Sequence, residues 1–375
     1  MISVNSFIQT LDGCGVSFFT GVPDSLLKSF CACVSEEVPT GRHVTAANEG
    51  GAVALAAGHY LATGRPALVY MQNSGQGNAV NPLLSLADPE VYGIPMLLLV
   101  GWRGEPGVKD EPQHLKQGKV TQALFEAMGI PCRLLPDNDQ ESAVCVEEMI
   151  RCSITDRRPV ALLVRAGTFE PYARKTSAVR YSLKREAAVE WVVSCLPERA
   201  AVVSTTGQLS RELYEYRERS GQDHEKDFLT VGSMGHASQI ALGIALQQTE
   251  RPVICLDGDG ALLMHLGAPA IIGSLKAPHF HHVLLNNGVH DSVGAQKTAG
   301  FDVDFVQLAL ACGYVDAVCV DSEEALLSAF RLQLQKDGPS FLEIRVAPGA
   351  RKDLGRPKTT PEQNKKAFMD FLQST

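Results

Sequence analysis

Two short polar turns hold the densest chemistry in this sequence, Gly258-Asp259-Gly260 and Asn286-Asn287-Gly288. Each closes an apolar run, 252–256 and 282–285, and the stretch between them, 261–275, is apolar and long enough for a buried helix. Two parallel strands joined by a right-handed crossover end at the same edge of a sheet, so the spacing places Asp259 and Asn287 side by side. A carboxylate and an amide carbonyl, with a backbone carbonyl just beyond, are hard oxygen ligands suited to a Mg²⁺ that keeps other positions for water or phosphate oxygens. The helix after Gly260 points free N–H groups at the same spot, and Gly258 and Gly260 let the backbone approach closely. Together these residues describe a site for a metal-bound diphosphate.

Other groups able to do chemistry stand elsewhere. Glu49, in AANEGGAVALAAG, is a carboxylate entering an otherwise small and apolar helix, where the first turn favours an acid. Asp24 follows Gly-Val-Pro and reads as the N-cap of a helix through Val34. His114, in DEPQHLKQG, is a titratable ring in a polar loop. Met234, in Gly232-Ser233-Met234-Gly235, reads by itself as a core residue. His279, His281 and His282 read as exposed polar residues at a strand's entry, because no cysteine or carboxylate stands beside them to complete a metal set.

The elements that must position these groups alternate. Strands are expected at 16–20, 43–47, 67–71, 96–100 and 160–164, with helices over 24–34, 49–62, after Gly77, and 115–128. From Gly167 to Lys184 the pattern lapses into polar, Pro- and Arg-containing sequence, and 171–184 is the expected linker. Alternation then restarts, with strands at 201–204, 314–320 and 341–346 and helices over 187–196, 210–219, 236–247, 305–312, 323–335 and 361–372. This is an α/β chain with two doubly wound parallel-sheet domains, 1–170 and 185–375.

At 375 residues each domain can bury its own core, and 45% hydrophobic with 20% charged residues is a globular composition. The net charge of −8 and the lack of lysine-rich runs argue against a nucleic-acid partner. Ten cysteines show no Cys-x-x-Cys pair and read as small buried residues of a reducing compartment. No run approaches the ~18 to 20 apolar residues that span a bilayer, so no membrane partner and a cytoplasmic location are expected.

The Gly-Asp-Gly to Asn-Asn spacing resembles the cofactor motif of the thiamine diphosphate enzymes, and the two α/β domains match that superfamily. The resemblance implies that Asp259, Asn287 and the carbonyl of Val289 hold Mg²⁺, that domain 1–170 receives the aminopyrimidine, and that domain 185–375 receives the diphosphate. The short gap leaves no room for the middle domain of many members, so FAD is set aside. Glu49 matches the glutamate that hydrogen-bonds the pyrimidine ring, Met234 the apolar wedge between the two cofactor rings, and Gly232 the carbonyl that accepts from the pyrimidine amino group. Thr206, Gly207, Ser233, Gly258, Gly260, Ala261 and Ser292 complete the implied cofactor contacts.

Asp24 resembles an active-site aspartate of the decarboxylase branch, and His114 occupies the region of its proton-transferring histidine. The acidic residue that pyruvate-type members carry after Asn-Asn corresponds to Val293, with His290 and Asp291 nearby, so the resemblance names no proton donor there. Three stretches, 71–118, 286–298 and 349–372, resemble the phosphonopyruvate decarboxylases and, less closely, the sulfopyruvate decarboxylases. That implies decarboxylation of 3-phosphonopyruvate or another anionic 2-oxo acid, with His290, Lys297, Arg351 and Arg356 as candidate partners of the anion. It also implies a homo-oligomer with active sites at the subunit interface.

Overall fold

The computed structural model describes residues 1–39, 41–174 and 179–374. The chain divides into two compact units, Met1–Ser177 and Ala178–Thr375. The division falls inside the stretch 171–184, of which 175–178 lie outside the described residues.

Unit 1 runs α1 (Val4–Gly13), β1 (Phe19–Gly21), α2 (Lys28–Glu37), β2 (His43–Thr45), α3 (Glu49–Thr63), β3 (Ala67–Gln72), α4 (Gln76–Pro82), β4 (Met96–Gly101), α5 (Pro112–Ala127), β5 (Cys132–Leu134), α6 (Asp139–Asp156) and β6 (Pro159–Val164). All six strands are parallel, in the order β2-β1-β3-β4-β6-β5. β4 and β6 read MLLLVG and PVALLV and are buried at every position, as parallel strands covered on both faces must be. One face packs Phe7, Phe30, Leu97 and Leu162; the other packs Val53, Val69, Leu98 and Phe125.

Unit 2 runs α7 (Arg185–Ser194), β7 (Ala201–Ser204), α8 (Gln208–Arg219), β8 (Asp227–Leu229), α9 (Ala237–Ala245), β9 (Val253–Gly258), α10 (Asp259–Met264), α11 (Ala268–Leu275), β10 (Phe280–Asn286), β11 (Val289–His290), β12 (Gln296–Lys297), α12 (Phe305–Cys312), β13 (Asp316–Val320), α13 (Glu323–Gln333), β14 (Ser340–Arg345) and α14 (Pro361–Gln373). Its parallel sheet is β8-β7-β9-β10-β14-β13, and β11 and β12 form a separate antiparallel ribbon. Counting only the strands of the six-stranded sheets, each unit therefore repeats one order, second, first, third, fourth, sixth, fifth. No helix among the described residues is long and apolar enough to cross a membrane.

Three expectations need correction. The apolar stretch 261–275 is two helices, α10 and α11, broken at His265-Leu266-Gly267. Asp24 is not a helix cap: α2 begins four residues later, with Leu27 at its N-cap, and the Asp24 carboxylate is buried in the loop after β1. His281 and His282 are interior residues of β10, each 1% exposed. His281 Nδ1 meets Ser340 Oγ at 2.8 Å, while His282 meets Tyr314 Oη at 3.1 Å and Asp257 Oδ2 at 3.3 Å. Hydroxyl and carboxylate partners on neighbouring elements make their burial tolerable.

Candidate active site

In unit 1 the groups gather at the carboxyl ends of β1 to β4, the edge where open α/β sheets bind ligands. Asn48 caps α3, its Oδ1 accepting from Gly51 N at 2.8 Å, and this places Glu49 on the first helical position. Glu49 is 4% exposed, and its Oε2 accepts from Asn78 Nδ2 at 2.8 Å. A β-carbon at Gly75 would collide with the Glu49 carboxyl, so only glycine leaves room for the acid. Burial raises its pKa, with the Asn78 amide pulling the other way. Among the described residues Glu49 forms no ion pair.

Asp24 is fully buried. Its Oδ1 accepts from Gln72 Nε2 at 2.6 Å and its Oδ2 from Leu26 N at 2.9 Å; burial raises its pKa against these hydrogen bonds and the nearby Arg103 charge. Arg103 lies beside it, donating to Ser25 Oγ at 3.0 Å and holding both oxygens of Asp110. His114 sits in the first turn of α5, buried, with its pKa lowered to about 4 by burial and by Arg103. Its Nδ1 has no hydrogen-bond partner among the described residues.

In unit 2 the crossover brings Asp259 and Asn287 together, Asn287 N lying 3.4 Å from Asp259 Oδ1. Asp259 is 2% exposed, its pKa raised to about 6 by burial while the Thr298 hydroxyl donates to Oδ2 and limits the rise. It too has no ion pair among the described residues. Asn287 Nδ2 donates to Asp291 Oδ2 at 2.7 Å. Because a carboxylate only accepts, that contact settles the amide's orientation and turns its Oδ1 the other way. A buried carboxylate without an ion pair and an amide oxygen, which also accepts from Val289 N at 3.1 Å, are oxygen donors whose chemistry fits a hard divalent ion. Beside it, Thr205 Oγ1 is buried with no partner among the described residues, and the N-termini of α8 and α10 follow β7 and β9.

Thr206 and Gly207 lead into α8, while Gly258, Asp259, Gly260 and Ala261 form the turn into α10. Ser233, with a left-handed φ of 52°, and Gly232 follow β8. A β-carbon at Gly260 would lie 2.8 Å from His290 Nδ1 and 3.5 Å from Met234 Cε, so His290, Met234 and the α10 start converge. Burial lowers the pKa of His290 to about 4. Ser292 is exposed on the turn between β11 and β12, and Lys297 and Arg356 are exposed. Arg351 is held by Glu186, Glu215 and Asp353.

Sequence reasoning missed a buried network behind Asn287. Arg185 donates to both oxygens of Glu212 at 2.8 Å, to Gln208 Oε1 at 2.7 Å and to Asp291 Oδ2 at 2.9 Å. It ties the Asn287 loop to the start of α8. Asn78, Gln72, Thr298 and Arg103 were missed as well; the polar stretch QNSGQGN after β3 was the one available signal.

Comparison with known proteins adds the following. Residues 3–125 match the family described as thiamine pyrophosphate enzyme, N-terminal TPP binding domain, and residues 205–344 match the corresponding C-terminal TPP binding domain. The chain is 38% identical to the phosphonopyruvate decarboxylase of Streptomyces viridochromogenes, over 99% of this chain and 95% of that one. It is also 38% identical to the phosphonopyruvate decarboxylase of Streptomyces hygroscopicus, over 99% and 94%. With the sulfopyruvate decarboxylase of Methanosarcina acetivorans it shares 28% identity over 97% of this chain and 96% of that one.

Proposed function

The chain belongs to the phosphonopyruvate decarboxylase family of thiamine diphosphate-dependent enzymes, and on that premise we propose that it is a carboxy-lyase that converts 3-phosphonopyruvate to phosphonoacetaldehyde and CO₂. The observation that carries the substrate is 38% identity sustained over 99% of the chain. The reaction breaks the bond between the carboxylate and the keto carbon, leaves the electron pair on that carbon, and ends with its protonation. Thiamine diphosphate, when bound, supplies a nucleophilic ring carbon and the sink for that electron pair.

The residues divide the remaining work. Asp259, Asn287 Oδ1 and the Val289 carbonyl would hold Mg²⁺, and Thr206, Gly207, Gly258, Gly260, Ala261 and Ser292 would receive the diphosphate. Met234 would separate the two rings, with Ser233 beside it in the chain, and the Gly232 carbonyl would accept from the pyrimidine amino group. Glu49 would exchange a proton with the pyrimidine ring, a task suited to a carboxyl whose pKa burial raises. Asp24 and His114 move protons at the reacting carbon; His114, neutral at neutral pH, starts as an acceptor. His290, Lys297 and Arg356 face the phosphonate. The enzyme is a homo-oligomer in which each active site joins the Glu49 unit of one subunit to the Asp259 unit of another.

A second reading, sulfopyruvate as substrate, is favoured by the relative that is 28% identical over 97% of the chain. Measuring CO₂ release from phosphonopyruvate, sulfopyruvate and pyruvate in parallel decides between them. A substrate anion that satisfies buried donors should give kcat/KM at least ~10²-fold above that for pyruvate. Equal values for phosphonopyruvate and pyruvate overturn the substrate assignment and leave the cofactor assignment standing.

A further inference from the structure

Gln296 is 2% exposed, and neither its Nε2 nor its Oε1 has a hydrogen-bond partner among the described residues. Such a side chain is costly to bury: an amide removed from water without partners forfeits hydrogen bonds at both ends. Its neighbours on the ribbon do not share this state, since Lys297 is exposed and Val289 half-buried. Gln296 is the direct cross-strand partner of His290. Directly opposed residues of an antiparallel pair project from the same face. The His290 ring lies over the start of α10, within 2.8 Å of where a β-carbon on Gly260 would stand. The unsatisfied amide therefore shares a face with the histidine that meets Met234 and the α10 turn. The ribbon carries three N–H-bearing side chains, His290, Gln296 and Lys297, and no carboxylate.

We propose that Gln296 is a specificity-determining residue, its Nε2 donating a hydrogen bond to an oxygen of the substrate's phosphonate; this rests on the phosphonopyruvate reading above. A neutral amide suits the place. It adds a fixed donor to a dianion without placing a further charge next to Mg²⁺, and its orphaned state in the free enzyme is relieved when the anion arrives.

Gln296→Met tests this, because it keeps the shape and removes both polar ends. Two measurements are made on the same protein, the thermal midpoint of the cofactor-free enzyme and steady-state kinetics of the holoenzyme on phosphonopyruvate and pyruvate. The midpoint should hold or rise, since an unsatisfied amide is replaced by an apolar chain. kcat/KM on phosphonopyruvate should fall roughly 10- to 100-fold, mostly through KM, with pyruvate changed by less than about 3-fold. Gln296→Glu, which sets a carboxylate against the phosphonate, should discriminate against phosphonopyruvate more strongly still and carries the test if the methionine variant does not fold. A lowered midpoint with unchanged KM means the amide is a satisfied structural group and overturns the proposal. Equal losses on both substrates overturn it too, by moving the contact to the shared 2-oxo acid end. A parent enzyme that releases no CO₂ from phosphonopyruvate fails the functional reading itself, before any variant is compared.

Discussion

Unit 1 and unit 2 repeat one strand order, and in both the chemistry sits in the loops after the first four strands. At those strand ends unit 1 carries Asp24, Glu49, Gln72 and Arg103, and unit 2 carries Thr205, Met234, Asp259 and Asn287. The topology decides where a functional group can stand, and loop composition decides what it does. Unit 1 buries two carboxyls against amides, Asn78 on Glu49 and Gln72 on Asp24; burial raises both pKa values while the amides pull the other way. Unit 2 surrounds one carboxylate with an amide oxygen and helix N-termini, a setting for a hard cation and its anion. Other buried acids of unit 2 differ from all three: Asp227 is gripped by Arg217 at 2.8 and 2.9 Å and Glu212 by Arg185 at 2.8 Å. An acid held by an arginine has its charge matched within the fold, whereas Glu49, Asp24 and Asp259 have no such ion pair among the described residues.

Substitutions at the two edges can break that division of labour. Glu49→Gln should lower kcat by roughly 10³-fold, within the range of a lost acid–base group, while leaving affinity for thiamine diphosphate with Mg²⁺ within a few-fold. Asp259→Ala should do the reverse, weakening that affinity at least ~10²-fold as one of very few protein ligands on a hard cation disappears. Calorimetry beside a CO₂-release assay separates the two effects, and a Glu49→Gln enzyme that binds cofactor as poorly as Asp259→Ala would erase the distinction. The same pair of inactive chains probes the shared site. In a random dimer about half the molecules are mixed and each mixed dimer holds one intact site, so remixing should restore about a quarter of parental activity per chain. No recovery despite demonstrated subunit exchange places the whole site in one chain.

Stability should follow the opposite rule. Asp227 is fully buried, and Asp227→Ala leaves the Arg217 guanidinium uncompensated, which should cost about 3–5 kcal/mol in a urea unfolding experiment. Glu49→Gln removes a buried acid that has no cationic partner among the described residues, and its unfolding midpoint should stay level or rise. A Glu49→Gln enzyme as unstable as Asp227→Ala would mean that Glu49 holds the fold together rather than waiting on a ligand.

What could be read in advance follows from how far each interaction reaches along the chain. β4, β6 and β9 were legible because burial on both faces writes an uninterrupted apolar run, and the Asp259 to Asn287 spacing was legible because one crossover sets it. The break at His265 to Gly267 was passed over because the flanking segments are equally apolar, although Gly267 and Pro269, which open α11, mark a helix start. His281 and His282 looked polar and exposed because their partners, Ser340, Tyr314 and Asp257, are 59, 32 and 25 positions away. Arg185 was invisible as a brace of the Asn287 loop for the same reason, with Asp291 lying 106 positions on. Gln296 gave no sign at all, because an unpartnered amide is a property of the folded surroundings and not of its neighbours in sequence.

The smallest effect concerns pH, and it again sets one unit against the other. Each holds a histidine against a hydroxyl, His43 on Tyr70 at 2.8 Å in unit 1 and His281 on Ser340 at 2.8 Å in unit 2, and burial lowers both pKa values to about 4. An unfolded histidine titrates near 6.5. Between about pH 6.5 and pH 4 the unfolded chain therefore binds protons that the folded chain refuses. The stability these rings contribute is fully present above pH 6.5, falls as the pH drops through that window, and stops changing below 4. A ring fully excluded from protonation contributes a slope of about 1.4 kcal/mol per pH unit inside the window. Both rings, with pKa values lowered alike, should approach this limit. His281→Asn, which can still hydrogen-bond Ser340, should flatten the curve of unfolding free energy between pH 6.5 and 4 and leave its shape above pH 7 untouched. His43→Asn should flatten it by a similar amount, and the two changes should add, because the residues lie in separately packed units. An unchanged slope in His281→Asn means that the buried ring of β10 already accepts its proton in the folded state.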